Sequence, residues 1–475
     1  MEYEPFWISS KRGLLLRPYH YKKFLEYKGI FKLYPSKNEG FTFIIKEGFF
    51  VDVISLERIK DIVLTELQTI GEEEAWSLMA SHVNYFSKDF LAMLQAANIN
   101  IIKDSRHNAF IYYQNTAVKV TSSNFELIPY KDIGGLVWKE QVINRNIKLS
   151  PESNGIFKSF IWKISGETPD KYFTLKSVIG HLLHSYKNKS KNRAIIFNDE
   201  MISDEPNGGS GKGLFHKAIG HIKKVSTIDG KMYDPQKSFI FQTVSPDCQV
   251  LLFDDVKRAF NFESLFSIIT EELHIEKKGL HPVVLSFEDS PKISITTNYT
   301  IQGDGGSFNR RVFEIELSSY FNDSYTPEDE FKQLLFDDWT PEEWANFDNY
   351  MLRSVQFFLQ KGLYVSENKN LKLRKLIDGT SKQFVEFMED RTFDGELYYG
   401  TELRELFEAA YNDYYKYKWF NSRLFNRWLE KYCRFANLEL TYGKTSGARW
   451  IMIKPMDGQM IIAGLDKVEE LPMPF

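Results

Sequence analysis

The sequence predicts an α/β protein built on a parallel sheet sandwiched by helices, with smaller modules on either side of that core. Three stretches predict it. The first, RAIIFNDEMISDEPNGGSGKGLFHKAIG (Arg193 to Gly220), sets an apolar run from Ala194 to Phe197 before a glycine-rich turn that ends at Lys212 and opens an amphipathic segment, Leu214 to Ile219. The second is QVLLFDDV, Gln249 to Val256, an apolar run that ends in two acids. The third is KISITTN, Lys292 to Asn298, whose alternating isoleucines end in an amide. Strands of this kind run in one direction and present polar ends at one edge of a sheet.

At 475 residues the chain exceeds one ordinary core, so two to four domains are expected. The net charge of -4 excludes an overall basic surface, and any contact with nucleic acid has to be local. Two distant cysteines, Cys248 and Cys433, fit neither a disulfide framework nor a zinc site and point to a reducing compartment. No apolar run reaches membrane-spanning length, the first residues lack the order of a signal peptide, and there is no internal repeat.

Glycine-rich turns between a strand and a helix bind phosphate for a physical reason. Without Cβ atoms, Gly208, Gly209 and Gly211 let the backbone aim successive N–H groups inward, at the positive end of the next helix dipole. Lys212 then brings a point charge to the β- and γ-phosphates. The pattern departs from G-x-x-x-x-G-K-[ST] at two places: Pro206 stands for the first glycine and Gly213 for the hydroxyl residue that reaches Mg²⁺.

Before this stretch, residues 1–147 read as an α+β domain of unassigned role. Gly40 to Ser55 reads as two strands joined at Glu47–Gly48, Leu56 to Ile70 and Glu72 to Ala96 as helices, and Asn108 to Ser122 as a strand pair. Asp52 lacks an acidic partner and is read as a strand-end or solvent-facing residue rather than a metal ligand. Residues 148–192 form a helical collar, in which His181 and His184 are read as a polar helix edge.

After the glycine-rich turn, Lys237 to Val244 is expected to be a strand. Asp254 and Asp255 then stand where a strand carries carboxylates beside the phosphates, Asp254 holding Mg²⁺ through water and Asp255 orienting the attacking water. Glu271 to Pro291 reads as a hairpin with Lys277 and Lys278 near its tip, placed to grip a phosphate backbone. Asn298 would sense the γ-phosphate, while Arg310 or Arg311, at the start of a strand ending at Leu317, would reach a neighbouring subunit's nucleotide.

The ordered set NGGSGKG, VLLFDDV, the KKG hairpin, KISITTN and FNRRVFEIEL resembles the motifs of superfamily 3 helicases, in the branch holding poxvirus-type primase-helicases and phage replicative helicases. The resemblance covers Arg193 to about Leu317 and implies an AAA+ P-loop ATPase core, residues 193–325, that binds ATP and Mg²⁺. It also implies a homo-oligomeric ring, a hexamer, that moves 3′-to-5′ on single-stranded DNA. It assigns the nucleotide to Asn207, Gly208, Gly209, Ser210, Gly211, Lys212, Gly213 and Leu214. Primase motifs are absent, so a separate primase or origin-binding partner is expected, and a cytoplasmic site of action in a bacterial cell carrying the phage or mobile element.

Residues 326–378 read as a helical lid whose long helix has an N-cap at Thr340 before Pro341. Residues 379–475 read as helices followed by a two-stranded wing, a winged-helix pattern. Its Arg423 and Arg427 on the third helix, with Lys444 and Arg449 on the wing, would face DNA. Two rivals stand beside the helicase: an ATP-switched replication initiator that separates no strands, and an AAA+ remodeller acting on protein.

Overall fold

The computed structural model describes residues 3–456 apart from 12, 36–39, 152–153, 201–208, 259, 279–281, 300, 302, 304–305, 367–368, 412–413, 415–416 and 418. The chain begins with a hairpin, β1 (Trp7–Ser10) and β2 (Gly13–Leu16), and helix α1 (Pro18–Tyr27). Strands β3 (Ile30–Leu33), β4 (Thr42–Glu47) and β5 (Phe50–Val53) follow, then α2 (Leu56–Thr69), whose N-cap Ser55 accepts from the Arg58 amide. The helix expected over Glu72 to Ala96 is broken into α3 (Glu73–Ser81), a short 3₁₀ turn and α4 (Lys88–Leu91). His82 leaves the helical region at ψ 80°, and Ser87 starts afresh by capping Phe90, so side chains that compete for backbone donors divide the run.

Next come β6 (Asn108–Tyr113), β7 (Ala117–Thr121), β8 (Phe125–Ile128), β9 (Val137–Trp138) and β10 (Val142–Ile143). They make two four-stranded sheets, β3-β4-β5-β9 and β10-β6-β7-β8. The first packs on α1 to α4. The second joins the core of the following helices, α5 (Ile156–Ile164) and α6 (Pro169–Leu183), burying Ile111, Val118 and Val120 with Phe160, Ile179 and Leu183.

The central sheet is assembled from β11 (Ala194–Asp199), β12 (Val225–Asp229), β13 (Val250–Val256), β16 (Lys292–Thr297) and β17 (Val312–Leu317). Between them lie α7 (Lys212–Gly220), α8 (Phe266–Thr270), the hairpin β14 (Leu273–Ile275) and β15 (Val283–Leu285), and α9 (Gly306–Arg311). All neighbours in the order β12-β13-β16-β11-β17 are parallel. Alternation along each strand fills both faces: Ile195, Phe197 and Ile315 enter the core shared with α5 to α7, while Ala194, Ile196, Phe253 and Ile295 enter the opposite one.

Lys237 to Val244, expected as a strand, is instead a chain of turns in which Gln242 donates to Phe239 O and Val244 to Phe241 O. The edge beside β13 is taken by β12, a polar strand with a weak apolar signal, so 237–244 has no ladder to join. Its apolar Ile240, Phe241 and Val244 pack on the sheet's face instead.

After α10 (Pro327–Phe331) comes α11 (Pro341–Lys361), where Thr340 caps Glu343 and Pro341 occupies the first turn. This helix packs along α5 and α6, contributing Phe347, Tyr350, Met351 and Val355 to their core. Arg145 anchors it with a bidentate pair to the buried Asp348, at 2.8 and 2.5 Å. Helix α12 (Lys369–Gly379) belongs to the last core through Leu376. That core is completed by α13 (Lys382–Glu389), β18 (Leu397–Tyr399), α14 (Glu402–Ala410), α15 (Ser422–Phe435) and the hairpin β19 (Leu438–Thr445) and β20 (Ala448–Pro455), in a sheet ordered β18-β20-β19. Among the described residues, no helix is long and apolar enough to cross a membrane.

Candidate nucleotide site

The site forms where β11, β13 and β16 end on one edge of the sheet. Asn207 and Gly208 lie outside the described residues. Gly209 and Gly211 adopt φ of +93° and +96°, a region that L side chains avoid. At Gly211, the N-cap of α7, a Cβ would also come within 2.9 Å of the Phe160 ring, so glycine is required twice over. At Gly213 no atom of the described residues lies within 4 Å of an added Cβ, which leaves open space among them where a hydroxyl residue would project. Ser210 is buried with its Oγ unpartnered among the described residues, and Leu214 packs against the core.

Lys212 gathers the strand ends. Its Nζ donates to Asp199 Oδ2 at 2.5 Å, to Asn298 Oδ1 at 2.5 Å and to Thr297 O at 3.2 Å. Asp199 was not foreseen, although its position at the end of the strand entering the turn is the signal that could have found it. Beneath it, both amide atoms of Asn198 are buried without a partner among the described residues. Buried polar atoms without partners mark places where water or a ligand completes the bonding. One turn along α7, buried His216 joins Lys212 O (2.8 Å) to Ser294 Oγ (2.7 Å), fixing the helix to β16. Burial pushes its imidazole down to about 4, so the ring is neutral at pH 7.

The acids are presented by an irregularity. The β13–β16 register shifts between Phe253 and Val256, and Asp255 sits at φ +52°. Thr296 Oγ1 holds the pair in place: it accepts from the Asp255 amide at 2.7 Å and donates to Asp254 Oδ1 at 2.6 Å. Asp255 pairs with Lys231 at 2.5 Å and lies 3.5 Å from Asn298 Nδ2. Because β16 runs between β11 and β13, Asn298 touches both Lys212 and Asp255.

The residues suit a nucleoside triphosphate with a hard divalent cation. Lys212, the left-handed glycines and the start of α7 supply positive potential; Asp254 and Asp255 supply anionic oxygen. Among the described residues, no group of three or more histidines, cysteines or carboxylates gathers. A cation here would draw most of its ligands from phosphate and water.

Arg310 and Arg311 end helix α9 rather than opening a strand, each folding back on its own helix: Arg310 Nε to Gly306 O at 3.0 Å, Arg311 Nη1 to Ser307 Oγ at 2.7 Å. The sequence GSFNRR supports a turn of helix because Phe308 can enter the core beside Phe262. Arg311 lies over the Phe266 ring at 4.7 Å, whereas Arg310 is exposed. Since Val312 pairs with Ala194, both arginines sit at the sheet edge opposite Lys212, roughly 20 Å of strand away.

Lys278 is exposed beside the hairpin, while Lys277 is half-buried against the N-terminal sheet. Arg423 and Arg427 share an exposed face of α15, and Lys444 is directly opposite Arg449 in the last hairpin. His181 and His184, expected on a polar edge, are buried; His184 Nε2 lies 2.8 Å from Ser105 O, and burial lowers both pKa values. Segments invisible in a periodicity reading of α6 cover them: the Ser105–Asn108 turn lies on His184, and Phe358 of α11 packs against both rings.

No protein-family model matches this chain, and no curated protein matches it. Among solved structures, the apo C-terminal region of NrS-1 is similar at 14% identity over 91% of this chain and 97% of that one, with a TM-score of 0.41. A second structure of that region gives 14%, 92%, 99% and 0.38. The ORC2 protein of Aeropyrum pernix, solved with ADPNP and ADP, gives 10% identity, 55% and 84% coverage and a TM-score of 0.20. At such values the site's own side chains carry the functional reading.

Proposed function

We propose that this chain is a superfamily 3-type AAA+ ATPase that separates DNA strands during replication of a phage or other mobile element. The observation that carries the reading is the meeting of Lys212, Asn298 and the Asp254–Asp255 pair at one sheet edge, with Arg310 and Arg311 at the other. Lys212 and the loop from Asn207 to Leu214 bind the phosphates of ATP, and Asp254 holds Mg²⁺ through water. That cation, when bound, neutralises charge on the phosphates. Asp255 orients and deprotonates the attacking water, and Asn298, touching lysine and acid alike, senses whether the γ-phosphate is present.

An arginine that cannot reach its own nucleotide acts on a neighbour's, so turnover requires a ring, in this reading a hexamer. Lys277 and Lys278, with Arg423, Arg427, Lys444 and Arg449 on a winged-helix module, contact the DNA backbone. Open space at Gly213 favours one alternative, a switch that binds ATP but separates no strands. Strand displacement decides between them. On a duplex with a 3′ single-stranded tail, ATP and Mg²⁺, the helicase reading expects unwinding that Asp255→Asn abolishes; binding without unwinding on either tail polarity favours the switch.

A further inference from the structure

A groove of about 480 Å³ runs between the N-terminal sheet and the β14–β15 hairpin. Its floor is apolar, with Phe41 and Phe43 on one side and Ile275 and Val283 on the other; Lys88, Lys277 and Lys278 line it too. The two walls meet closely: a Cβ at Gly40 would collide with Pro282 O, and Gly40 has φ +69°. Glu57 is the carboxylate in the lining, and among the described residues no carboxylate pairs with Lys88, Lys277 or Lys278. The Lys88 ammonium lies 4.9 Å from the Phe41 ring centre and Lys32's 5.3 Å, so one aromatic ring has two cations beside it. Burial lowers the pKa of Lys88 and Lys277 and outweighs the opposing pull of Asp89 and Asp247, the mark of ammonium groups held partly out of water.

We infer that the N-terminal module forms one wall of a single-stranded nucleic-acid site, Phe41 offering a stacking surface and Lys88 a phosphate contact opposite Lys277 and Lys278. This rests on the nucleic-acid reading above and gives the first 100 residues a task in it. An unpaired strand supplies both things the groove lacks, phosphate charge and a free base face; a duplex hides its base faces in the stack. Stacking on one aromatic side chain is worth about 1–3 kcal/mol, or roughly 5- to 150-fold in affinity.

The test is fluorescence anisotropy of a labelled oligo-dT on full-length protein with a non-hydrolysable ATP analogue, across a salt series. Lys88→Gln is expected to lower the slope of log affinity against log salt by about 0.7, one lost phosphate contact on a single strand. Phe41→Leu, which keeps apolar volume but loses the ring, is expected to weaken binding at least fivefold. Phe41→Tyr restores it, and Lys382→Gln, far along the chain on exposed α13, changes nothing. Turnover without DNA stays at the wild-type level in all four, which separates lost contact from lost folding. Wild-type-like slopes and affinities in the groove variants, with DNA still raising turnover, overturn the groove and leave the motor standing. A wild-type protein that binds no oligonucleotide at low salt overturns both, and displacement by poly-glutamate at lower charge concentration than oligo-dT assigns the groove to an acidic peptide and overturns the proposal.

Discussion

Asn298 bridges Lys212 and Asp255, accepting from the lysine at Oδ1 and donating from Nδ2 to the acid, and the chemistry of the two is separable by substitution. Asp255→Asn is expected to keep the fold and ATP binding, because Asn tolerates the left-handed backbone that Asp255 adopts, while removing the base and lowering turnover at least 100-fold. Equilibrium nucleotide binding and steady-state hydrolysis measured on one preparation check this. Gly213→Ser is expected to fit without strain, since no atom of the described residues lies within 4 Å of the new Cβ, and to lower the Mg²⁺ concentration giving half-maximal turnover. Unchanged Mg²⁺ dependence and turnover would leave a metal role for this position unsupported. The places of Asp254, Asp255 and Asn298 were legible because each stands at the end of an apolar strand, and that of Lys212 because it closes a glycine-rich turn and opens α7. Asp199 was not: its place at the end of β11 is a weak signal, and its pairing with Lys212 emerges only once β11 and α7 are folded against each other.

At the scale of elements, α9 distinguishes its two arginines. Arg310→Ala removes an exposed group bonded, among the described residues, only to its own helix and is expected to cut turnover by ~10³ with an unchanged melting curve. Arg311→Ala also removes the cover of Phe266 and is expected to lower the melting temperature. The clamp between the collar and α11 is tested by Arg145→Ala, which strands buried Asp348 and is expected to cost about 3 kcal/mol in denaturant unfolding, whereas Arg353→Ala, which frees only the carbonyls of Ser150 and Pro151 and strands no charge, costs less. The sequence made β11, β13, β16, β17 and α7 legible through apolar runs with polar ends. It misled where tertiary demand overrode pattern: 237–244, expected as a strand, has no ladder because β12 lies beside β13, and His82 and Ser87 cut a run with helical periodicity into pieces.

For the whole molecule, buried histidines set the acid limit of stability. The folded pKa of His216, about 4, lies below its ordinary 6.5, so the unfolded chain binds a proton between these values and the folded chain does not. Stability is therefore full above pH 6.5 and falls on acidification, by roughly 2 kcal/mol at pH 5 from this residue alone. His181 and His184 act in the same direction through burial. Denaturant midpoints at pH 7 and pH 5 check the sign. Assembly is tested by mixing: Lys212→Ala and Arg310→Ala, each inactive alone, are expected to recover part of the turnover when combined, because a mixed ring pairs an intact loop with an intact arginine.

The most direct test of the central claim is steady-state ATP hydrolysis by the full-length protein with and without single-stranded DNA, for wild type and Lys212→Ala. Turnover that rises on DNA and disappears in the variant is the predicted result. An assembled wild-type protein that binds ATP without hydrolysing it, or one whose hydrolysis survives Lys212→Ala, would contradict the assignment of this sheet edge as a motor site.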